Sequence, residues 1–127
     1  MLGRKGATLH IPHYIDGQYW NVDTAFNTVK KTDSINLKYF YYLAVCFDYK
    51  RYMSQTTLPS MTQTAYNNMY IPYPSYNVQT EIGLYLDLQL DKLEEFISEK
   101  QSLIKDLESY KKSLIYEVVT GKRKVVA

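Results

Sequence analysis

VQTEIGLYLDLQLDKLEEFISEKQSLIKDLESYKKSLIYEVV, residues 78–119, is the stretch whose reading decides the fold. Leu86, Leu90, Leu93, Ile97, Ile104, Leu107, Leu114 and Val118 recur four and three residues apart, with Lys100 and Lys111 in the two remaining seam positions. That spacing lays one apolar stripe along a rod, as in a coiled-coil seam. A helix of roughly 40 residues is about 60 Å long. The region before it is too small to cover such a stripe, and no second helix of similar length follows. The stripe therefore calls for a partner helix.

Upstream of the rod, short β-type and helical segments alternate. Residues 7–15 have strand character, Asp16-Gly17 is a hairpin signal, and Gln18–Val22 is the expected return strand. Ala25–Val29 reads as another short strand. Ser34 is the expected cap of a helix from Asn36 to Asp48, with Leu37, Phe40, Tyr41, Leu43, Ala44 and Phe47 near one face. Residues 50–64 are a hydroxyl-rich loop leading into a helical turn at Thr62–Asn67. Met69–Ile71 reads as a strand stopped by Pro72. Pro72 and Pro74 hold an extended link, because each disfavours helix at the residue before it. Ser75 or Asn77 is the expected cap of the rod, and Gly121 its stop. The expected class is α+β: a small mixed strand/helix region at 1–76, one long amphipathic coiled-coil helix at 77–120, and a basic tail at 121–127. Gly3–Gly6 reads as a turn that should follow a strand, which suggests the latter part of a longer protein or a short version of one.

Composition narrows the function. No apolar run is long enough for a membrane helix, and no apolar segment follows the two early basic residues as a signal peptide would require. Cys46, the one cysteine, lies in the apolar run Tyr39–Phe47 and reads as a buried thiol in a reducing cytoplasm. The net charge of +2 hides a division. Residues 1–80 hold seven Lys/Arg against four Asp, and residues 81–112 five Lys against eight acids. Residues 113–127 are basic again. Eleven of the fourteen tyrosines precede residue 81, on half-buried sheet faces in the plainer reading and at a recognition surface in the other.

Catalytic patterns are poor. His10 and His13, in a strand-like segment, would point to opposite faces and make no ready metal pair. Gly3-Arg4-Lys5-Gly6 lacks the length and following helix of a phosphate loop. Asp48-Tyr49-Lys50 has a nuclease-like spacing without the upstream acid that chemistry needs, so solvated charges at a helix end are the plainer reading. The chain reads as non-catalytic, with no cofactor of its own. Binding features are better. Arg4 and Lys5 lie between glycines that permit close approach to a phosphate. Lys30-Lys31, Lys50-Arg51 and the hydroxyls of 54–64 add cations and neutral donors.

Residues 54–82 carry a family pattern: the hydroxyl loop and short helix, then Ile71-Pro72-Tyr73-Pro74, then Gln79 and Ile82. They resemble the DNA-specificity subunit of type I restriction-modification systems. Leu93, Leu103-Ile104, Leu107, Lys111, Leu114-Ile115, Glu117, Val119 and Thr120-Gly121-Lys122 resemble that family's spacer helix and its ending. Gly3-Arg4-Lys5-Gly6 and Trp20-Asn21 match its early turn and the strand after it.

The resemblance implies recognition domains that each read half of a split site on double-stranded DNA. It also implies paired long helices that set the spacing and dock methyltransferase (modification) subunits, which would supply S-adenosylmethionine and catalysis. Against that pattern the chain reads as one helix with the latter part of one recognition domain. Two copies pairing antiparallel, or pairing with another specificity half, would cover the stripe. The implied DNA-facing residues are Arg4, Lys5, Lys30, Lys31, Thr56, Thr57, Ser60, Gln63 and Thr64. Leu86, Leu90, Leu93, Ile97, Ile104, Leu107 and Leu114 are the expected helix interface. The competing reading is a coiled-coil interaction adaptor that binds no DNA.

Overall fold

A computed structural model describes residues 1–54 and 56–125. The chain divides into two units, Met1–Tyr85 and Leu86–Ala127. In order, the elements are β1 (Leu2–Gly3), β2 (Ala25–Phe26), α1 (Leu37–Val45), α2 (Gln63–Asn67) and α3 (Tyr76–Val119). Single 3-10 turns lie at Gly6–Thr8 and Tyr49–Arg51. Among the described residues, two short strands and three α-helices, one of them 44 residues long, make the α+β class expected from the sequence.

In the first unit β1 and β2 run antiparallel, Leu2 opposite Phe26 and Gly3 opposite Ala25. Gly3 is required by close approach, since a Cβ there would lie 1.9 Å from the Thr8 carbonyl oxygen. The core gathers Leu9, Tyr49 and Met61, with Phe47, Tyr52, Met53, Ala65, Tyr66 and Met69 packed on it. Aromatic edges organise it: Tyr49 meets Phe47 at 5.7 Å, Tyr66 at 6.3 Å and His10 at 5.3 Å between ring centroids. Such edge-to-face pairs set a positive ring rim against a negative face.

Several local expectations are corrected. The hairpin about Asp16-Gly17 does not form. Met1 and His13 exchange both backbone bonds, the Ile11 N–H goes to Thr8, and Pro12 has none to give. The backbone that would have paired with 18–22 is therefore committed elsewhere, and Gln18–Val22 is exposed. Ala25–Val29 shortens to Ala25–Phe26, because Leu2–Gly3 offers only two partner residues. Met69–Ile71 is not a strand, since no neighbouring strand pairs with it. Cys46 is exposed, one residue beyond the last turn of α1, while Tyr39 and Ala44 turn inward. The tyrosines meet no broad sheet face. Tyr39, Tyr49, Tyr66 and Tyr73 tie off carbonyls with their hydroxyls, and Tyr49 and Tyr66 also pack by ring edges.

The cap of α1 is Asn36, whose side-chain oxygen accepts from Lys38 N–H at 2.9 Å and Tyr39 N–H at 3.1 Å. Ser34 is occupied otherwise. Its carbonyl accepts from Gln79 at 3.2 Å and from the Tyr73 hydroxyl at 3.1 Å. Gln79 is fully buried and also donates to the Pro74 carbonyl at 2.8 Å, while its own oxygen accepts from Asn36 N–H at 2.9 Å. The Tyr39 hydroxyl donates to the Pro72 carbonyl at 2.9 Å. The proline link, which makes no ladder of its own, is thus held by side chains from α1 and α3. Ser75 stands at the start of α3, its carbonyl accepting the first helical bond from Gln79 N–H, and Asn77 lies inside the helix.

The second unit is the remainder of α3 and its end. Gly121 adopts a left-handed φ of 72°. Its N–H bonds the Val118 carbonyl and Arg123 N–H bonds that of Glu117, which satisfies carbonyls the ended helix leaves open. The Arg123 guanidinium also lies 3.8 Å from the Glu117 carboxylate. Residues 126 and 127 of the basic tail lie outside the described residues.

Candidate nucleic-acid interface and helix seam

The Gly3–Gly6 segment and the hydroxyl loop are joined by backbone pairing. Lys5 bridges antiparallel to Ser60, Gly6 N–H donates to Pro59 at 2.8 Å and Met61 N–H to Arg4 at 2.9 Å. This brings Arg4 and Lys5 beside the loop. Inside the loop Ser54 Oγ lies 3.0 Å from Ser60 Oγ and 3.4 Å from Thr56 Oγ1, and Thr56 donates to the Leu58 carbonyl at 2.9 Å. Thr56 and Thr57 are exposed and Ser60 half-buried. The Arg4 guanidinium stands over the Phe26 ring at 5.4 Å and reaches the Asp23 carbonyl at 3.4 Å. Lys5 lies 4.0 Å from the exposed Asp23 carboxylate, a solvated pair that leaves the ammonium available to a phosphate.

Lys30, Lys31 and Gln63 fall elsewhere in the same unit. They line one cleft of about 510 Å³, together with Tyr66, Asn67 and Tyr73. Lys30 pairs with Asp33 at 3.1 Å and lies 5.9 Å over the Tyr76 ring. Gln63 and Thr64 are exposed on α2, whose cap Thr62 accepts from Ala65 N–H at 3.1 Å. Thr64 does not line the cleft. Eight of the nine DNA-facing candidates thus fall into two groups, Arg4, Lys5, Thr56, Thr57 and Ser60 at the loop and Lys30, Lys31 and Gln63 at the cleft, and Thr64 on α2 joins neither. Met61 bonds Arg4 immediately before α2, and Tyr66 within it donates to the Gly3 carbonyl at 2.5 Å. Asn67 escaped the sequence reading. Its signal was available as the i+4 neighbour of Gln63 on one helix face.

Burial pushes the Tyr49 phenol up to about 12, and burial with the neighbouring Tyr49 raises that of Tyr66 as well. Both are structural: Tyr49 donates to the Ala44 carbonyl at 2.7 Å. Among the described residues no group of three or more His, Cys, Asp or Glu is placed to hold a metal. His10 instead rests edge-on against Tyr49.

On α3 the seam is laid bare. Leu93, Ile97, Ile104 and Leu107 are each more than half exposed, Leu90 is exposed, and Leu86 and Leu114 are half-buried. Phe96, Leu103 and Tyr110, seven residues apart, add a second exposed apolar row beside it. Among the described residues no helix is long and apolar enough to cross a membrane.

Residues 7–106 match the type I restriction modification DNA specificity domain. No curated protein and no solved structure matches the chain. The match spans most of the sequence, both the loop-and-cleft region and the first part of the rod, and the chain belongs to that family. Its part is DNA recognition, and the family is non-catalytic.

Proposed function

We propose that residues 1–76 recognise double-stranded DNA, that the helix at 77–120 is a spacer that docks methyltransferase subunits and a second specificity half, and that 121–127 is a basic tail. Catalysis and S-adenosylmethionine belong to the methyltransferase partner. The pairing of Lys5 with Ser60 is the observation that carries the DNA reading. It sets two cations beside three hydroxyls, and the hydroxyls lie within the family-matched residues 7–106. Cations and hydroxyls of this kind hold phosphates and fix register on a duplex.

For the seam, charge supports an antiparallel second copy. From Leu86 to Glu99 the helix carries five acids against Lys92, from Lys100 to Val119 four Lys against three acids, and Lys122, Arg123 and Lys124 follow its end. Antiparallel pairing sets the acidic half of each copy against the basic half of the other, while parallel pairing opposes like charges. Salt-dependent duplex retention and the mass in solution test the two halves of the proposal. Retention that falls steeply with salt, together with a dimeric mass that rises on adding the methyltransferase subunit, is expected. A chain that ignores duplex DNA at low salt would make it an interaction adaptor.

A further inference from the structure

The cleft beside α2 holds polar side chains that the fold leaves unengaged. Gln63 and Asn67 are four apart on α2, so they share a face, and both are exposed and line the cleft. Among the described residues neither amide has a hydrogen-bond partner, whereas several other polar walls are committed. The Tyr66 hydroxyl is held by Gly3, Tyr73 by the Ser34 carbonyl and by its Oγ at 2.7 Å, and the Asn27 side-chain oxygen by Tyr19. Of the two lysines, Lys30 is engaged by Asp33, and Lys31 has no partner among the described residues.

Resting on the DNA reading above, we infer that Gln63 and Asn67 are base-reading residues for adenine and that Lys31 holds the adjacent phosphate. A carboxamide offers a donor and an acceptor side by side, which match N7 and the N6 amino group of adenine in the major groove. A cation held against a phosphate carries no sequence information. Along a helix, four residues rise about 6 Å, nearly two base steps of about 3.4 Å. The two amides therefore address different base pairs. Arg4, Lys5 and the hydroxyl loop, joined to α2 through Met61 and Tyr66, supply further phosphate contacts. The reading helix thus has backbone contacts on two neighbouring segments to fix its register.

The test is selection from a pool of double-stranded DNA with a randomised stretch, using the whole chain at low salt. The wild type is expected to enrich a motif containing A·T pairs. Asn67→Ala and Gln63→Ala each lose preference at one of those pairs, roughly ten- to a hundredfold, with an unchanged salt slope. Lys31→Ala keeps the motif and lowers the slope by about one. Unchanged thermal melting establishes that each variant is folded. An alanine variant of either amide that selects the wild-type motif at full stringency overturns the assignment. So does a wild type retained by DNA in a salt-dependent way that enriches no motif, which leaves the DNA reading standing. No retention at all overturns both.

Discussion

Gln79 carries three of the hydrogen bonds that hold the start of α3 to the rest of the first unit, and it does so with no solvent contact. Its amide nitrogen faces two carbonyls and its oxygen faces one N–H, so the donor-acceptor order matters as much as the volume. Gln79→Glu replaces that donor with a second acceptor facing two carbonyls and buries a charge. It should destabilise the unit by about 2–4 kcal/mol at neutral pH. Partial recovery is expected on lowering the pH to 4–5, where the carboxyl, kept neutral by burial among carbonyls, can donate once, and denaturant melts at the two pH values check this. Tyr49 gives a second prediction. Its phenol is protonated more tightly in the fold, up to about 12, than in the unfolded chain, near 10. The resulting stability is full below pH 10 and is lost as pH rises from 10 to 12, by about 2–3 kcal/mol. Tyr49→Phe should lower neutral stability by about 1 kcal/mol through the lost bond to Ala44, and flatten that alkaline decline.

Between elements, the close contact of α1 with α3 is made at Gly83, which is buried. A Cβ there would stand 3.5 Å from the Lys38 Cβ and 3.7 Å from the Tyr39 nitrogen, ordinary contact distances. Gly83→Ala is therefore expected to fit and to raise stability by about 0.5–1 kcal/mol through helix propensity. Gly83→Leu should lower the melting temperature, because the added branch meets the first turn of α1. A large loss from the alanine variant would mean the two backbones lie closer than these distances. Helices were the most legible elements in the sequence. α3 starts two residues before Val78 and ends at Val119, and α2 falls within Thr62–Asn67. Their signals are local, because periodic apolar residues and a capping side chain act within one or two turns. The Asp16-Gly17 hairpin was misread for the converse reason. A strand needs a partner, and Leu9, Ile11 and His13 find theirs in Gly6, Thr8 and Met1 rather than across the turn.

For the molecule as a whole, the seam decides what assembles. Ile97→Asp with Ile104→Asp places charge in the middle of the exposed stripe. The expected result is a monomeric mass and weaker duplex retention, because two linked sites bind more tightly than one. The alkaline transition of Tyr49 should be unchanged, since that residue belongs to the other unit. A double variant that keeps the wild-type mass would remove the seam from the assembly. What the sequence by itself determined is the long helix, its apolar stripe, the α+β class and the family pattern, all set by spacing along the chain. Tertiary structure alone decided that Arg4 and Lys5 stand beside Ser60, that Gln79 is a buried latch, and that Lys31, Gln63 and Asn67 share one cleft. Those groupings join residues tens of positions apart. They depend on which backbone groups find partners, and no local spacing encodes that choice.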